Sequence, residues 1–209
     1  PLRICNWRIV MTADYDSEDI CKSALLVGAF NVPGHRSVCE DLAQKLSGRG
    51  WLVFRTSRFR FRPLRVADMA LTTWKRRSQF QVAQVDVFSG NAFYWAETVC
   101  WILRRLHKPY VLTLHGGNLP AFAQRHSRRV RRLLASADKV TAPSDYLREQ
   151  MSHHRPDIVL LPNPLDLANY PFIERAKPHP KIVWLRAFNS GYNPNLAAKV
   201  VALLRSDFP

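Results

Sequence analysis

The sequence predicts an open, parallel α/β sheet with helices on both faces. Three observations carry that prediction. Short continuous apolar runs recur along the chain, as in strands buried on both faces. Between them lie segments with apolar residues three and four apart, as in helices resting on a sheet. Glycine, proline and asparagine stand at the joints. Six strand-then-helix units of this length describe a doubly covered parallel sheet, with right-handed crossovers.

Residues 1–22 show no period and are expected to form an irregular extension. Ala24–Phe30 is the first apolar run and reads as a strand. Asn31–His35 is a turn, and Arg36–Ser47 places Val38, Leu42, Ala43 and Leu46 at helical spacing. Gly48-Arg49-Gly50 ends that helix. Trp51–Phe54 is the second strand, and a basic segment then runs to Gln79. Val82–Phe88 is the third strand, followed by a helix from about Ala92 to His107. Tyr110–Leu114 is the fourth strand. A helix starts near Pro120, where proline suits a first turn, and runs to about Ala137. Lys139–Ala142 is a short strand, Ser144 caps a helix reaching about His153, and Asp157–Leu161 is the last strand of the series. Pro171, Pro178 and Pro180 make the next stretch extended and stiff. Lys181–Phe188 reads as one more strand and Pro194–Leu204 as one more helix.

The chain has 209 residues, enough for one large α/β domain plus a fragment, and 47% are hydrophobic, which argues against disorder. Pro1 and Pro209 at the two ends suggest a longer reading frame. No apolar run approaches the ~18 residues of a membrane span. The four cysteines, Cys5, Cys21, Cys39 and Cys100, have no metal-ligand spacing and read as reduced thiols of a cytosolic protein. The net charge of +15 calls for an anionic partner: lipid headgroups, nucleotide-sugar phosphates or nucleic acid. A basic but idle surface is the plain alternative. Nucleic acid is the weakest partner, because no nucleic-acid-binding module is recognisable. Two stretches concentrate the charge. Arg55–Arg77 interleaves cations with Phe59, Phe61, Leu64, Val66 and Trp74, as a loop able to rest on anionic lipid. Arg125, Arg128, Arg129, Arg131 and Arg132 lie on a helix whose Val130, Leu133 and Leu134 face the core.

Ligands of open parallel sheets sit beyond the carboxyl ends of the strands. Three turns there hold candidate chemistry. Asn31–Ser37 brings Gly34, where backbone can approach a ligand closely. It contains neither a Gly-x-Gly-x-x-Gly nor a Walker lysine, so a dinucleotide or P-loop site is a poor reading. His115-Gly116-Gly117-Asn118 follows the fourth strand. It has three readings: an esterase oxyanion loop, which lacks its Gly-x-Ser-x-Gly elbow; a histidine that merely caps the next helix; or a substrate-facing imidazole. Arg186 lies at the end of the Lys181–Phe188 strand, where a planar guanidinium suits a diphosphate.

The run Leu160-Leu161-Pro162-Asn163-Pro164-Leu165-Asp166, the proline-rich stretch and the strand ending in Arg186 together resemble the hinge of glycosyltransferase family 4 enzymes, which have the GT-B fold of two Rossmann-like domains. The likeness extends over residues 24–209. It implies four segments: an extension over 1–22, an acceptor-side N-terminal domain over 23–166, a linker over 167–180, and the truncated start of a nucleotide-sugar-binding domain over 181–209. It implies transfer of a sugar, with retention, from a nucleotide-sugar to a glycan, lipid or small-molecule acceptor, with no metal and no cofactor. It assigns His115 to catalysis, Gly34 and Arg186 to the donor, and Arg36, Gly116 and Asn118 to the acceptor. The family's lysine after the arginine is missing; Gly191-Tyr192-Asn193-Pro194 stands there instead. On this reading the 209 residues alone turn over no donor, and the protein works in the cytoplasm, at the inner face of the membrane. The competing class is a non-catalytic basic domain that binds nucleic acid or lipid headgroups.

Overall fold

A computed structural model describes residues 22–30, 37–59, 61–163, 172, 174, 182–185, 188 and 192–205. All but the last residue of the expected extension over 1–22, and most of the proline-rich linker, lie outside them. The chain divides into two compact units, Pro1–Leu165 and Asp166–Pro209.

The first unit is a six-stranded parallel sheet flanked by helices, a Rossmann-like α/β arrangement. Its strands are β1 (Ser23–Val27), β2 (Leu52–Thr56), β3 (Val82–Val87), β4 (Tyr110–Leu114), β5 (Lys139–Ala142) and β6 (Val159–Leu160), in the order β2-β1-β3-β4-β5-β6. Every residue of β1 is buried, which is why that run is continuously apolar, whereas β2 forms an edge and leaves Leu52 exposed. The chain steps outward from β1 to β2, then returns past β1 to β3. The connection reverses direction between β1 and β3, so the crevice for a ligand opens there.

Alternation along the strands sorts side chains onto two faces. Leu25, Val27, Val85, Val87, Leu112 and Leu114 join the larger core. It is closed by α2 (Arg62–Lys75), α3 (Phe93–Arg105), α4 (Leu119–Arg125), α5 (Ser127–Ala135) and α6 (Asp145–Met151), through side chains such as Met69, Val99, Leu103, Ala123, Leu134 and Met151. On the other face Leu26 and Phe30 meet Cys39 and Ala43 of α1 (Val38–Ser47). The start of α1 is a reciprocal cap. Ser37 Oγ accepts the Glu40 N–H at 3.2 Å, and Glu40 Oε2 accepts the Ser37 N–H at 2.8 Å.

In this first unit two expectations are corrected. The basic segment is not a loop: β2 extends to Thr56, and residues 62–75 form α2. Val66, Met69 and Thr73 recur at helical spacing. Met69 and Thr73 are buried, and the Thr73 hydroxyl donates back to the Met69 carbonyl at 2.7 Å. The dense arginines conceal that stripe in the sequence. The single helix expected after Pro120 is two helices. His126 leaves helical geometry (φ −126°, ψ 38°); its N–H closes α4 on the Phe122 carbonyl, and its own carbonyl accepts the Arg129 and Val130 N–H groups that open α5.

In the second unit α7 (Pro194–Leu204) forms over the residues expected. Residues 182–185, read as a strand, carry no strand structure, and Val183 and Leu185 are more than four-fifths exposed. A strand needs a neighbour for its backbone groups, and these residues have none among the described residues.

Candidate functional site

The ends of β1, β3 and β4 build a polar cluster on the α1 side of the sheet. Register places Asp86 opposite Thr113, and Leu26 of β1 opposite Gln84. These positions alternate with the core-facing valines of β3, so Gln84 and Asp86 point to the face that Leu26 shares. His115 is the first residue past β4. Its N–H donates to the Val87 carbonyl at 2.9 Å and so continues the ladder by one bond.

The imidazole of His115 is buried and held from two directions. Its Nε2 lies 3.0 Å from Asp86 Oδ1, and the Asp86 side chain is buried as well. Phe88 stacks on the ring, with centroids 4.9 Å apart and planes within 17°. Asp86 Oδ1 also accepts from Gln84 Nε2 at 2.7 Å. That amide donates in turn to Thr113 Oγ1 at 3.0 Å, which accepts from the Thr141 hydroxyl at 3.1 Å. Burying polar groups costs free energy unless each finds partners, and here each has them. An ionised carboxylate can only accept, so Nε2 carries the hydrogen and Nδ1 is left as the acceptor. The arrangement fixes the tautomer and plane of an imidazole, and it supports an imidazolium if one forms. Beside the pair, burial and then the Asp86 charge push the Cys39 thiol far above its ordinary range.

Gly28, directly after β1, faces the same carboxylate. A Cβ there would stand 2.5 Å from Asp86 Oδ2 and 3.0 Å from Cys39 Sγ. Space demands this glycine. At Gly116 the demand is conformational: its φ is +87°, and no atom lies within 4 Å of where a Cβ would stand. Gly116, Gly117 and Asn118 are exposed, and Asn118 makes no side-chain bond to α4.

Of the residues singled out in the sequence, His115, Gly116 and Asn118 come together past β4. Gly34, Arg36 and Arg186 lie outside the described residues. The structure adds Gly28, Gln84, Asp86 and Phe88. A signal for Asp86 was present: an acid within a buried strand is rare unless it has a partner. Val130, Leu133 and Leu134 of α5 lie in the core, and Arg125 at the end of α4 and Arg128, Arg131 and Arg132 of α5 are exposed as expected, but Arg129 is half-buried and paired with Glu97. Among the described residues no three His, Cys, Asp or Glu side chains are grouped to hold a metal, and no helix is long and apolar enough to cross a membrane.

A search of curated proteins found no match to the chain. A family model for Glycosyltransferase Family 4 matches residues 33–169, which span α1 to β6 and more than half of the sequence. With its switch-point crevice and six-stranded parallel sheet, the chain belongs to Glycosyltransferase Family 4.

Proposed function

We propose that this chain carries the acceptor side of a retaining glycosyltransferase that moves a sugar from a nucleotide-sugar to a glycan, lipid or small-molecule acceptor. Membership in the family supports a glycosyltransferase in general terms. The observation that carries the finer reading is the buried Asp86–His115 pair beside the topological switch point, next to the exposed glycines Gly116 and Gly117. In this reading His115 contacts the reacting sugar or acceptor through its free ring nitrogen. Asp86 is a positioning residue that sets the tautomer. Gly116, Asn118 and Arg36 contact the acceptor; Gly34 and Arg186 hold the donor phosphates. The reaction uses neither metal nor cofactor. The sugar nucleotide is substrate.

The same reading places the protein in the cytoplasm, at the inner face of the membrane. The outer surface of α2 supports that placement: Phe61, Leu64, Leu71 and Trp74 are each about half exposed or more, and Arg62, Lys75, Arg76 and Arg77 lie among them. Apolar side chains set among cations suit a surface of anionic lipid.

The test of His115 is made in the intact enzyme, by pairing initial rates with thermal melts for His115→Ala. We expect turnover to fall about a hundredfold or more, the range for loss of an acid–base or hydrogen-bonding group at a reaction centre. Loss of folding stability should stay within ~1–3 kcal/mol, from the Asp86 carboxylate left without this partner. A variant that melts much lower yet turns over at near wild-type rate overturns the assignment.

A further inference from the structure

On the helical side of the first unit, away from the Asp86–His115 pair, α3 and α5 flank an open groove of about 400 Å³. Its walls include Glu97, Trp101 and Arg104 from α3, and Arg129 and Arg132 from α5. The transferase reading assigns it nothing.

Its chemistry is of two kinds. Arg129 is committed to the protein: its Nε donates to Glu97 Oε1 at 2.6 Å, a second guanidinium nitrogen bonds Glu97 Oε2, and the guanidinium lies 4.1 Å from the Tyr94 ring centroid. That pair closes one wall and uses up the groove's carboxylate. Arg132 is exposed and has no ion pair among the described residues, and Arg104 is exposed on the facing helix. Arg132 leaves its guanidinium charge for an incoming anion, and Arg104, which also interacts with the Tyr110 hydroxyl, adds positive charge on the facing wall. Trp101 is 52% exposed, with Arg105 over its ring at 5.2 Å. An exposed indole at the edge of a groove that also carries exposed guanidinium groups offers a flat face on which a ring can stack.

We propose that this groove binds an anionic saccharide unit, with a ring face stacked on Trp101 and its carboxylate or phosphate held by Arg132 and Arg104. The volume suits one or two sugar rings. Exposed guanidinium groups favour a planar or tetrahedral oxyanion over a neutral hydroxyl. The aromatic platform favours a ring over an acidic peptide. The choice of a saccharide rests on the transferase reading. In that setting the groove is a second, non-catalytic hold on an acidic glycan chain, separate from the crevice at the switch point.

The test uses the 209-residue chain and four probes: an oligogalacturonide, a neutral malto-oligosaccharide of equal length, oligoglutamate and oligothymidylate. Binding is followed by calorimetry, with indole fluorescence as a second readout. We expect the oligogalacturonide to bind at low salt and weaken as salt rises. The neutral oligosaccharide should not bind, and the two other polyanions should bind at least tenfold more weakly. R132E and W101A should each weaken oligogalacturonide binding tenfold or more, and W101F should keep most of it. Both positions are solvent-exposed, and unchanged melting curves will confirm the fold. Equal affinity for oligoglutamate or oligothymidylate, no effect of R132E and W101A, or no binding at all overturns the proposal. The transferase reading is tested separately: R132E in the intact enzyme should transfer sugar to a small acceptor at the wild-type rate, whereas His115→Ala should not.

Discussion

Gly28→Ala is the sharpest probe of how the site is built. The added Cβ would lie 2.5 Å from Asp86 Oδ2, when ordinary contact begins at 3.4 Å. The carboxylate would therefore have to retreat by about 0.9 Å. β3 lies between β1 and β4, so retreat from Gly28 drives the carboxylate toward His115, whose Nε2 is already 3.0 Å from Oδ1. Cys39 Sγ, at 3.0 Å from the new methyl, closes another direction. The strain must pass into the strands or the imidazole. Overpacking of this kind costs ~1–3 kcal/mol. At ~2–4 °C per kcal/mol for a chain of this size, the melting temperature should fall by about 2–12 °C. The φ of Gly28 is not in the left-handed region, so backbone strain adds nothing and the effect is steric. A double-mutant cycle isolates it. In an Asp86→Ala background the same Gly28→Ala change should cost less than half as much, because the atom it strikes is gone. Thermal melts of the four proteins measure this directly. An unchanged melting temperature for Gly28→Ala, or an equal cost in both backgrounds, would falsify the steric account.

Three further outcomes follow from the same description. Ser37→Ala removes one half of the reciprocal cap on α1 and should cost about 1 kcal/mol, seen as a fall of about 2–4 °C in melting temperature; no change means that the cap is idle. Burial pushes the Cys100 thiol up to about 12 and raises that of Cys39 further, so neither should react with iodoacetamide in the native chain at pH 8. Peptide mass spectrometry should find both alkylated only after unfolding, and rapid native labelling of either contradicts the packing. The chain should pellet with anionic vesicles and not with neutral ones, and lose that binding as salt rises or when Arg62, Lys75, Arg76 and Arg77 are reversed to Glu, at ~1 kcal/mol per charge. Equal pelleting with both lipids, or none with either, removes α2 from the membrane surface.

Much of the fold was legible because local pattern and tertiary role agree. Tyr110–Leu114 and Lys139–Ala142 form strands over the residues read, since both are short runs rich in β-branched and aromatic or aliphatic side chains bounded by turns. Pro194–Leu204 forms its helix because a proline opens it. Legibility failed where two demands shared one segment. In α2 the core asks only for Val66, Met69 and Thr73, while the surface carries the arginines and exposed aromatics that made the segment resemble a loop. The break at His126 carries no glycine or proline. The chain bends there so that Ala123 and Val130 both reach the core, a requirement set by the sheet beneath and not by local propensity.

The site was half legible for a similar reason. A histidine followed by two glycines at a strand end can be read from the sequence alone. Its partner cannot, because Asp86 is 29 residues away and only the β3–β4 register brings the two together. That partner speaks against one of the readings left open for His115, the plain helix cap. A histidine that served only to cap α4 would turn a ring nitrogen to the backbone N–H groups of that helix. Here Nε2 is engaged by Asp86, Phe88 covers one ring face, and the residue at the cap position is Asn118. An imidazole spent on capping has no need of a buried carboxylate, whose own burial needs a second donor from Gln84. The fold supplies that buried acid at the one place in the sheet where the connection reverses, and where strands on either side open a crevice. Such an outlay of buried polar groups is intelligible if it orients the imidazole for a substrate, and this is why His115→Ala should tell first in turnover and only second in stability.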